Sequence, residues 1–554
     1  MNTRMLIAPR KTEFFTLNRN ALEELQLCLN EKRYEDGVLK ARTSLQLEPT
    51  NLAYKKCLAF CLGQIGELHE AKAVWIELIE DDPFSEEYLL NLSDVEKRLN
   101  RLDSAIGLLM LATEYHPESV KPWVSLGECH AFNNDTQGSV NASLEVLKRQ
   151  PNNTDAYQNL GSGFFALAMF DQAKYAFETA LLLNPHMQEA KSSLSTVLFR
   201  QNQAEPAAAL LEELISKYQT TDRMPLSQLK WNAALIQLRL GNLQKGWSYY
   251  EEGLKPEVQG VKVRHPHRTF QVPRWTPHTP VGQTVLVWRE QGIGDDVIFM
   301  TCLQDMIDAG YKPLVECDAR MIDLLQRSFP SITTRKAIYR VEYPHDSPYD
   351  DFDCHLPMGS LMHYFRPNLD SFDNKAGAYL KVDVAKKAKW SNELEKIRNG
   401  KKLVGITWRG GLTDAVGQMK YSKLIDWAPL LLSEEFVFVN LQFGECEQEL
   451  QEVESALGIN IHRWCWSDLD LKNDLDDVCA LISCLDDVVT ISSAVWTFSA
   501  ALGARTSLLL SAPHWTMFNQ NHIPFFSSVT CFCADNNASM ASVLPQIKHH
   551  LLHP

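Results

Sequence analysis

The stretch from Thr284 to Ala309, TVLVWREQGIGDDVIFMTCLQDMIDA, decides how the second half of the chain is interpreted. It opens with the apolar run 285–288, which has the length and composition of a buried strand. A turn containing Gly292 and Gly294 follows, and Asp295 then begins an amphipathic helical pattern. A strand, a glycine turn and a helix leave free backbone N–H groups at the carboxyl end of the strand, which suits a phosphate-bearing ligand.

Two simpler interpretations of this turn compete with a phosphate site. The dinucleotide fingerprint G-x-G-x-x-G requires a third glycine at position 297, and Val297 stands there, which disfavours a Rossmann oxidoreductase. The turn can also be a purely structural junction between strand and helix. The rest of the chain therefore decides its function.

Composition and charge restrict the class of protein. A chain of 554 residues predicts about three or four domains with an ample core. Its 45% hydrophobic and 22% charged residues are those of an ordinary soluble protein. The net charge of −15 argues against nucleic acid or an anionic membrane as a main partner. No apolar run reaches the roughly 18 residues of a membrane span, so we expect no stable membrane insertion.

The cysteines and the N-terminus indicate a cytoplasmic protein. The start, MNTRMLIAPRK, lacks the apolar core of a signal peptide. The 13 cysteines are scattered and odd in number, which is typical of a reducing compartment. Cys531 and Cys533 and the histidines of the tail lack the spacing of a zinc site, so we expect no metal there.

A repeat dominates the first half of the chain. Prolines recur every 34 residues, the period of the helix–turn–helix tetratricopeptide repeat (TPR). These prolines are Pro49, Pro83, Pro117, Pro151 and Pro185. Small residues recur in step with them, at the positions where the two helices of a repeat touch. They are Ala59, Ser93, Gly127, Gly161 and Ser195 in the first helices, and Gly37, Ala71, Ala105, Ser139, Ala173 and Ala207 in the second. The pattern predicts an α-solenoid of TPR units.

About seven repeats are expected over residues 18–254, after an N-terminal segment of residues 1–17. The sixth repeat has Gln219 in place of the proline, and the insertion 220–225 shifts the phase before the seventh begins near Ser227. Repeats of this kind stack into a solenoid with an extended concave groove.

Three asparagines occupy equivalent positions in the first helices of their repeats. They are Asn91, Asn159 and Asn232. An asparagine there can pair with the backbone of an extended peptide in the groove, which makes the three candidate acceptor-binding residues. A solvated polar position explains them equally well.

The second half predicts an α/β architecture. Residues 255–282 are rich in proline, histidine and arginine and form a connector. From residue 283 strands alternate with helices in two successive blocks, 283–400 and 401–554. Two such blocks imply two Rossmann-like lobes with a cleft between them.

Several short stretches, in this combination and order, resemble a known family. They are GWSYYE at 246–251, EQGIGD at 290–295, DCHLP at 353–357 with Ser360-Leu361, VGITW at 404–408, NLQ at 440–442, Asp474 with Asp477, and AALG at 500–503. The chain, from the repeats to about residue 515, resembles bacterial TPR glycosyltransferases, whose catalytic half is similar to heptosyltransferases and, more distantly, to protein O-GlcNAc transferase. The resemblance implies a GT-B fold, in which the second lobe mainly holds a nucleotide sugar and the acceptor enters from the first.

The resemblance also implies catalysis without a metal and without a cofactor other than the nucleotide-sugar co-substrate. The acidic cluster 350–353 imitates a metal-binding D-x-D motif, but the matching family aspartate belongs to a structural segment before a proline.

The chain departs from the family pattern at one place. Family members usually carry Asp-Thr and then His before Ala-Leu-Gly, where this chain has Ser492, Ser493 and Thr497. We therefore expect the donor to be bound differently from the family pattern, and loss of activity is the alternative.

Asp295 is the candidate catalytic base, because it stands at the mouth of the expected crevice and matches the Gly-Asp of heptosyltransferases. A helix cap is its alternative role, and Glu290 is the next candidate base. The resemblance gives Lys420 the role of meeting the leaving phosphate, with a solvated surface lysine as the alternative. The candidate donor-binding residues are Gly292, Gly294, Trp408, Arg409, Gly410, Lys420, Gln442, Asp477, Ser492, Ser493 and Thr497.

The leading prediction is a cytoplasmic, metal-independent protein O-glycosyltransferase. It would move a sugar from a nucleotide-sugar donor to Ser or Thr of a protein held by the repeats, with flagellin as the acceptor by analogy with bacterial enzymes of this build. One alternative keeps the chemistry but makes a lipid-linked or surface saccharide the acceptor. The other is a non-catalytic TPR scaffold with a degenerate glycosyltransferase domain.

Overall fold

The computed structural model divides the chain into two compact units, Met1–Met187 and Gln188–Pro554. The residues that it describes are 11–219, 224–258, 264–338, 351–373, 375, 377–411, 415–418, 421–465, 468–535 and 539–553.

The first unit is a stack of helix pairs, as the repeat period predicts. Its helices are α1 Lys11–Asn30, α2 Tyr34–Leu47, α3 Leu52–Ile65, α4 Leu68–Asp81, α5 Glu86–Arg98, α6 Leu102–Tyr115, α7 Lys121–Phe132, α8 Thr136–Arg149, α9 Thr154–Ala166 and α10 Phe170–Leu183. From α1 to α10, consecutive helices of this unit pack against one another. Within the described part of this unit, the helices therefore form a TPR-like solenoid of five pairs.

Small residues and left-handed turns account for this geometry. Ala71 and Ala105 have no exposed surface where the helices of their repeats meet. Gly161 faces Phe177 so closely that a Cβ there would lie 2.6 Å from the ring. The first helix of each pair ends in a residue with positive φ, and these residues are again 34 apart. They are Lys32, Gly66, Asn100, Asn134 and Ala168. A left-handed residue at a helix end turns the chain back for the second helix.

The second unit begins with two further helix pairs and continues into the α/β region. The pairs are α11 Gln188–Arg200 with α12 Ala204–Ser216, and α13 Leu226–Arg239 with α14 Leu243–Tyr250. The first lobe contains β1 Thr284–Trp288, α15 Ile293–Phe299, α16 Leu303–Asp308, β2 Lys312–Cys317, α17 Ile322–Ser328, β3 Thr333–Lys336, β4 Cys354–Pro357 and α18 Leu361–Phe365. The second lobe and the helix that precedes it contain α19 Val384–Arg398, β5 Lys402–Thr407, α20 Ala415–Gln418, α21 Ala428–Leu431, β6 Phe436–Asn440, α22 Glu447–Leu457, β7 Ile461–His462, α23 Leu475–Ile482, β8 Asp487–Ile491, α24 Ala494–Ala501, β9 Thr506–Leu510, β10 Val529–Cys533 and α25 Leu544–Leu552. Short 3₁₀ helices lie at Glu251–Leu254, Met300–Cys302, Ala319–Met321, Met358–Ser360, Leu369–Phe372, Leu424–Trp427, Trp515–Met517 and Met540–Val543.

Each lobe is built on a parallel sheet of buried, largely apolar strands. The described strands of the first lobe run in the order β3-β2-β1-β4, and those of the second in the order β10-β9-β8-β5-β6-β7. In each sheet the chain starts in the middle, moves to one edge and then returns to build the other side. This is the order of doubly wound folds, and it confirms the predicted α/β class with two parallel sheets.

The last repeat packs directly on both lobes, around one buried tryptophan. Trp247 in α14 is 1% exposed, and its indole N–H donates to the carbonyl of Arg366, 2.9 Å away. Its ring meets the edges of Trp515 and Phe518, at centroid distances of 6.0 and 6.1 Å. The expected boundary between repeats and catalytic half was residue 254, but the second compact unit begins at Gln188.

Substituting two helix glycines tests the packing of the first unit. We expect Gly161→Ala to destabilise the protein by about 1–3 kcal/mol, because the new Cβ meets the Phe177 ring. Gly107→Ala in α6 is the matched control, since no atom lies within 4 Å of its Cβ position. It should gain up to about 1 kcal/mol from helix propensity. Calorimetric melting of the two full-length variants measures both effects, and a gain in both would contradict the close contact at Gly161.

Truncation tests where the second unit begins. A fragment that starts at Gln188 keeps Trp247 and should melt cooperatively as a soluble protein. A fragment that starts at Lys255 loses the tryptophan and exposes its apolar partners Trp515 and Phe518. We expect that fragment to aggregate on size-exclusion chromatography, or to melt at a much lower temperature. Equal stability of the two fragments would show that repeats six and seven are separable from the lobes.

Candidate functional site

The topology marks one edge of each sheet as the place where ligands bind. In doubly wound sheets a crevice opens at the carboxyl ends of the two strands from which the chain departs in opposite directions. These strands are β1 and β4 in the first lobe, and β5 and β8 in the second. The turn 289–294 follows β1, and Ser492 and Ser493 follow β8.

The two edges meet through a close helix contact. Helix α15 packs against α24, and a Cβ on Gly294 would lie only 3.3 Å from the Cα of Ala494. Tyr379 bridges the same two helices. Its hydroxyl donates to the backbone carbonyl of Val297 at 2.6 Å, and its backbone N–H donates to the backbone carbonyl of Ala501 at 2.9 Å. The structure therefore brings the glycine turn of the first lobe to the start of α24 in the second.

Asp295 lies next to this contact. It is half-buried in the first turn of α15, where a helix N-terminus stabilises negative charge. One of its carboxylate oxygens lies 3.3 Å from the Cβ position of Gly292, the N-cap residue, which folds it back over the turn. Asp295 follows Gly294 and Ser493 precedes Ala494, so the candidate base and the serine pair each lie within a residue or two of the helix contact.

Asp296 points the other way, into the first lobe. It has no exposed surface, and Arg289 Nε lies 2.7 Å from its Oδ2. Burial raises the pKa of the Asp296 carboxyl well above its usual range, and Arg289 opposes that rise. An acceptor cannot reach this group.

Glu290, the second candidate base, is a structural residue in this fold. It is 3% exposed, and its Oε1 accepts hydrogen bonds from the Arg264 guanidinium at 2.6 and 3.1 Å and from the backbone N–H of Gly359 at 2.8 Å. Buried and held by these donors, the Glu290 carboxylate is out of reach of an acceptor hydroxyl. Its position in the sequence motif gave no hint of this partner, which lies 26 residues away.

Gln442, expected to touch the base or ribose, instead holds the loop after β5. It is 1% exposed. Its Oε1 accepts from the Thr407 hydroxyl at 3.0 Å and from the backbone N–H groups of Trp408 and Arg409 at 3.2 and 3.0 Å. Its side chain is therefore occupied, and it positions the Arg409–Gly411 loop.

Three other candidate donor-binding side chains are buried or paired within the protein. Trp408 has no exposed surface and packs in the core of the second lobe. Thr497 is 2% exposed, and its hydroxyl donates to the carbonyl of Ala494 at 2.8 Å. Asp477 accepts from the indole N–H of Trp390 at 3.1 Å and pairs with Lys386 at 2.8 Å, which ties α23 to α19. Trp408 and Thr497 are therefore closed to solvent, whereas Asp477 is partly exposed and paired.

Arg409 and Gly410 lie at the carboxyl end of β5, as predicted. Arg409 is half-exposed and pairs with Glu449 at 3.3 Å. A Cβ on Gly410 would lie 2.8 Å from the hydroxyl of Tyr421, so only glycine fits beneath that ring. Lys420 lies outside the described residues.

A cleft of about 740 Å³ opens beside this loop, at the ends of β6 and β7. Among its walls are the half-buried rings of Phe443 and Trp464, the exposed carboxylate of Glu445, and Arg463. Sequence reasoning missed these residues. The sequence did contain one signal. Each of the successive strands β6 and β7 is followed, within three positions, by an aromatic residue, Phe443 and Trp464 respectively.

The three groove asparagines differ in their surroundings. Asn91 donates to the carbonyl of Glu87 at 2.7 Å, within its own helix, and Asn159 is exposed. Asn232 donates to the Ser192 hydroxyl at 2.9 Å and accepts from Gln228 at 2.9 Å, so its amide serves to join α13 to α11.

The acidic cluster before β4 is structural where it is described. Asp351 pairs with Arg335 at 2.9 Å, and Asp353 accepts from the backbone N–H of Thr284 at 2.8 Å. Asp350 lies outside the described residues. Across the described parts of the chain, no group of three or more His, Cys, Asp and Glu side chains is arranged to hold a metal ion. Within the same residues, no helix combines the length and apolarity needed to cross a membrane.

Comparison with known proteins supports the TPR repeats and finds one distant relative. A tetratricopeptide-repeat model matches residues 164–224. The chain is 29% identical to Protein FlbA of Caulobacter vibrioides over 458 residues, which cover 80% of this chain and 69% of FlbA. The TPR prediction is thereby confirmed.

Three solved structures illustrate partial similarity, each covering less than half of this chain. MamA is 20% identical with a TM-score of 0.28, over 29% of this chain and 98% of MamA. A tetratricopeptide repeat protein from Parabacteroides merdae is 12% identical with a TM-score of 0.36, over 42% of this chain and 91% of that protein. Pseudomonas aeruginosa PilF is 13% identical with a TM-score of 0.32, over 37% of this chain and 92% of PilF.

Proposed function

We propose that this protein is a GT-B glycosyltransferase that moves a sugar from a nucleotide-sugar donor to a Ser or Thr hydroxyl of a protein bound by its repeats. One observation carries the proposal. The contact of α15 with α24 brings Asp295 beside the start of a helix that carries two serine hydroxyls, at the ligand-binding edges of two parallel sheets.

The second lobe offers a complete set of contacts for a nucleotide. The start of α24 brings Ser492 and Ser493 to this edge, with the dipole of an eight-residue helix behind them to favour a diphosphate; Ser493 Oγ already accepts from the backbone N–H of Val495 at 3.3 Å. The cleft at the ends of β6 and β7 is the place that we propose for the nucleoside. Its rings Phe443 and Trp464 can stack on a base, and Glu445 can accept hydrogen bonds from ribose hydroxyls.

The chemistry assigned to the site is a displacement at the anomeric carbon of the donor sugar. Asp295 takes the proton of the acceptor hydroxyl as its oxygen attacks C1, and the bond from C1 to the diphosphate oxygen breaks. The departing diphosphate carries the developing negative charge toward the start of α24 and the Arg409–Gly411 loop, where N–H groups and a guanidinium stabilise it.

The repeats and the distant relative bear on the acceptor. TPR domains typically bind protein partners, which favours a polypeptide over a lipid-linked or surface saccharide. The similarity to FlbA is consistent with a flagellar-associated role, and flagellin is the acceptor that we propose to test first. Cytoplasmic location and a bacterial source belong to the same proposal.

A non-catalytic scaffold is the second candidate, and specific observations favour it. Ser492, Ser493 and Thr497 replace the residues that the family resemblance leads one to expect, and Thr497 is buried. Gln442 and Asp477 are both occupied by partners within the protein. A sugar-binding or vestigial second lobe fits these features as well.

Nucleotide binding in the absence of metal tests the donor site. Calorimetry with a panel of nucleoside diphosphates in excess EDTA should detect binding to the full-length protein. Trp464→Ala should weaken it by roughly 5- to 150-fold, the loss of about 1–3 kcal/mol of base stacking. Trp464→Phe keeps a ring and should retain most of the affinity. Binding that appears only after magnesium or manganese is added would contradict a metal-independent site.

Asp295→Asn tests the base. The variant keeps the shape and most of the capping ability of Asp295, but it cannot accept a proton. Transfer should fall by about 10²–10⁴, while stability falls by no more than about 1 kcal/mol and nucleotide binding persists. Intact-mass measurement of flagellin and other candidate acceptors, from cells with wild-type or variant protein, measures transfer.

Asp296→Asn is the matched control, because Asp296 is buried against Arg289 and cannot reach an acceptor. Its effect should appear in the melting temperature and not in transfer. If transfer survives Asp295→Asn but not Asp296→Asn, Asp296 is the base instead of Asp295. The absence of any added mass with wild-type protein would favour the scaffold.

A further inference from the structure

A side chain of the connector fills the ligand crevice of the first lobe. Arg264 has no exposed surface, and its guanidinium lies between the residues that follow β1 and β4. Its Nη2 donates to Glu290 Oε1 at 2.6 Å and to the hydroxyl of Ser360 at 2.8 Å, and its Nε donates to the same Glu290 oxygen at 3.1 Å. The place where a doubly wound sheet usually receives a ligand is here occupied by an arginine of the same chain.

The carboxylate that receives this guanidinium belongs to the turn that carries the candidate base. Glu290 Oε1 also accepts from the backbone N–H of Gly359 at 2.8 Å, and the Glu290 carbonyl accepts from the N–H of His265 at 3.1 Å. Hydrogen bonds therefore hold both the side chain and the backbone carbonyl of Glu290. Asp295 follows it by five residues, across the glycine turn.

The other side of Arg264 faces the end of the last repeat. Its Nη1 donates to Glu251 Oε1 at 2.9 Å, and its guanidinium lies 4.6 Å from the centre of the Tyr250 ring. Burial raises the pKa of the Glu251 carboxyl, but Arg264 and Arg274 outweigh it and hold that pKa at about 2. Glu251 is therefore ionised at neutral pH and completes the pairing of the buried arginine.

The geometry requires an arginine. The planar guanidinium sends separate N–H groups to Glu290, Ser360 and Glu251 at once, whereas the point charge of a lysine cannot keep this fork. Loss of the arginine would leave the buried Glu290 without its counter-charge, which is costly and favours movement of the turn.

We propose that Arg264 is a positioning residue: it holds the turn from Glu290 to Asp295 in place and couples the end of the last repeat to that turn. The catalytic importance of this turn rests on the function proposed above for Asp295. The positioning itself is a property of the fold and can be measured without any transfer reaction.

Hydrogen exchange of the full-length protein, followed by mass spectrometry, tests the positioning. Arg264→Lys should raise the exchange rate of amides in 291–299 by at least tenfold. Arg268→Lys is the matched control, because Arg268 lies in the same connector and also forms a buried pair, with Glu316 on β2. It should leave 291–299 unchanged. Equal acceleration by the two variants, or none in Arg264→Lys, would overturn the positioning role.

Glu251→Gln tests the coupling. It leaves Arg264 and Glu290 intact and removes only the charge at the end of the repeats. Faster exchange in 291–299 is expected here too, though less than in Arg264→Lys, and unchanged exchange would overturn the coupling.

If the wild-type protein transfers sugar, Arg264→Lys should lower kcat and leave the donor KM close to its original value. A loss confined to donor KM would count against the role assigned here. Failure of the wild-type protein to transfer sugar contradicts the proposed function alone, because the exchange measurements do not depend on it.

Discussion

The second unit depends on a close helix contact at a glycine. Gly294 lies against the backbone of Ala494, and this approach lets α15 of one lobe pack on α24 of the other. Tyr379 bridges the same helices through its hydroxyl and its backbone. A Cβ at position 294 would lie 3.3 Å from the Cα of Ala494, so a larger residue would require the two helices to shift where Asp295 and the serine pair converge. The glycine of the turn therefore serves helix packing as well as any approach to phosphate, which the sequence motif alone did not distinguish.

Buried polar groups, together with a shared apolar core, hold the last repeat against the lobes. Arg264 and Glu251 connect the end of the repeats to the first lobe, and Trp247 reaches an Arg366 carbonyl as well as the rings that follow β9. Apolar packing would tolerate small shifts, whereas hydrogen bonds and ion pairs of fixed length do not. These contacts join α14 and the connector residue Arg264 to the lobes within the second compact unit.

Features that depend on sequence period were predictable, and those that depend on distant partners were not. The 34-residue proline spacing gave the helix pairs, and alternating apolar runs gave two parallel sheets, because both follow from local periodicity. Whether a polar side chain of a motif contacts a ligand or another part of the protein depends on which distant atoms lie near it in the fold. Glu290, Gln442 and Asp477 were expected at a ligand and are instead held by partners 26 to 91 residues away. The aromatic cleft was missed because Phe443 and Trp464 come together only through the order of the strands.

The union of the last two repeats with the lobes has a consequence for how a bound polypeptide would be marked. Helices α11–α14 and the crevice belong to one compact unit. Under the proposed function, a segment held on these helices would reach Asp295 through a length of chain set by that unit. The choice of residue would then follow from its distance along the acceptor from the held segment, and the sequence immediately around the modified hydroxyl would be free to vary.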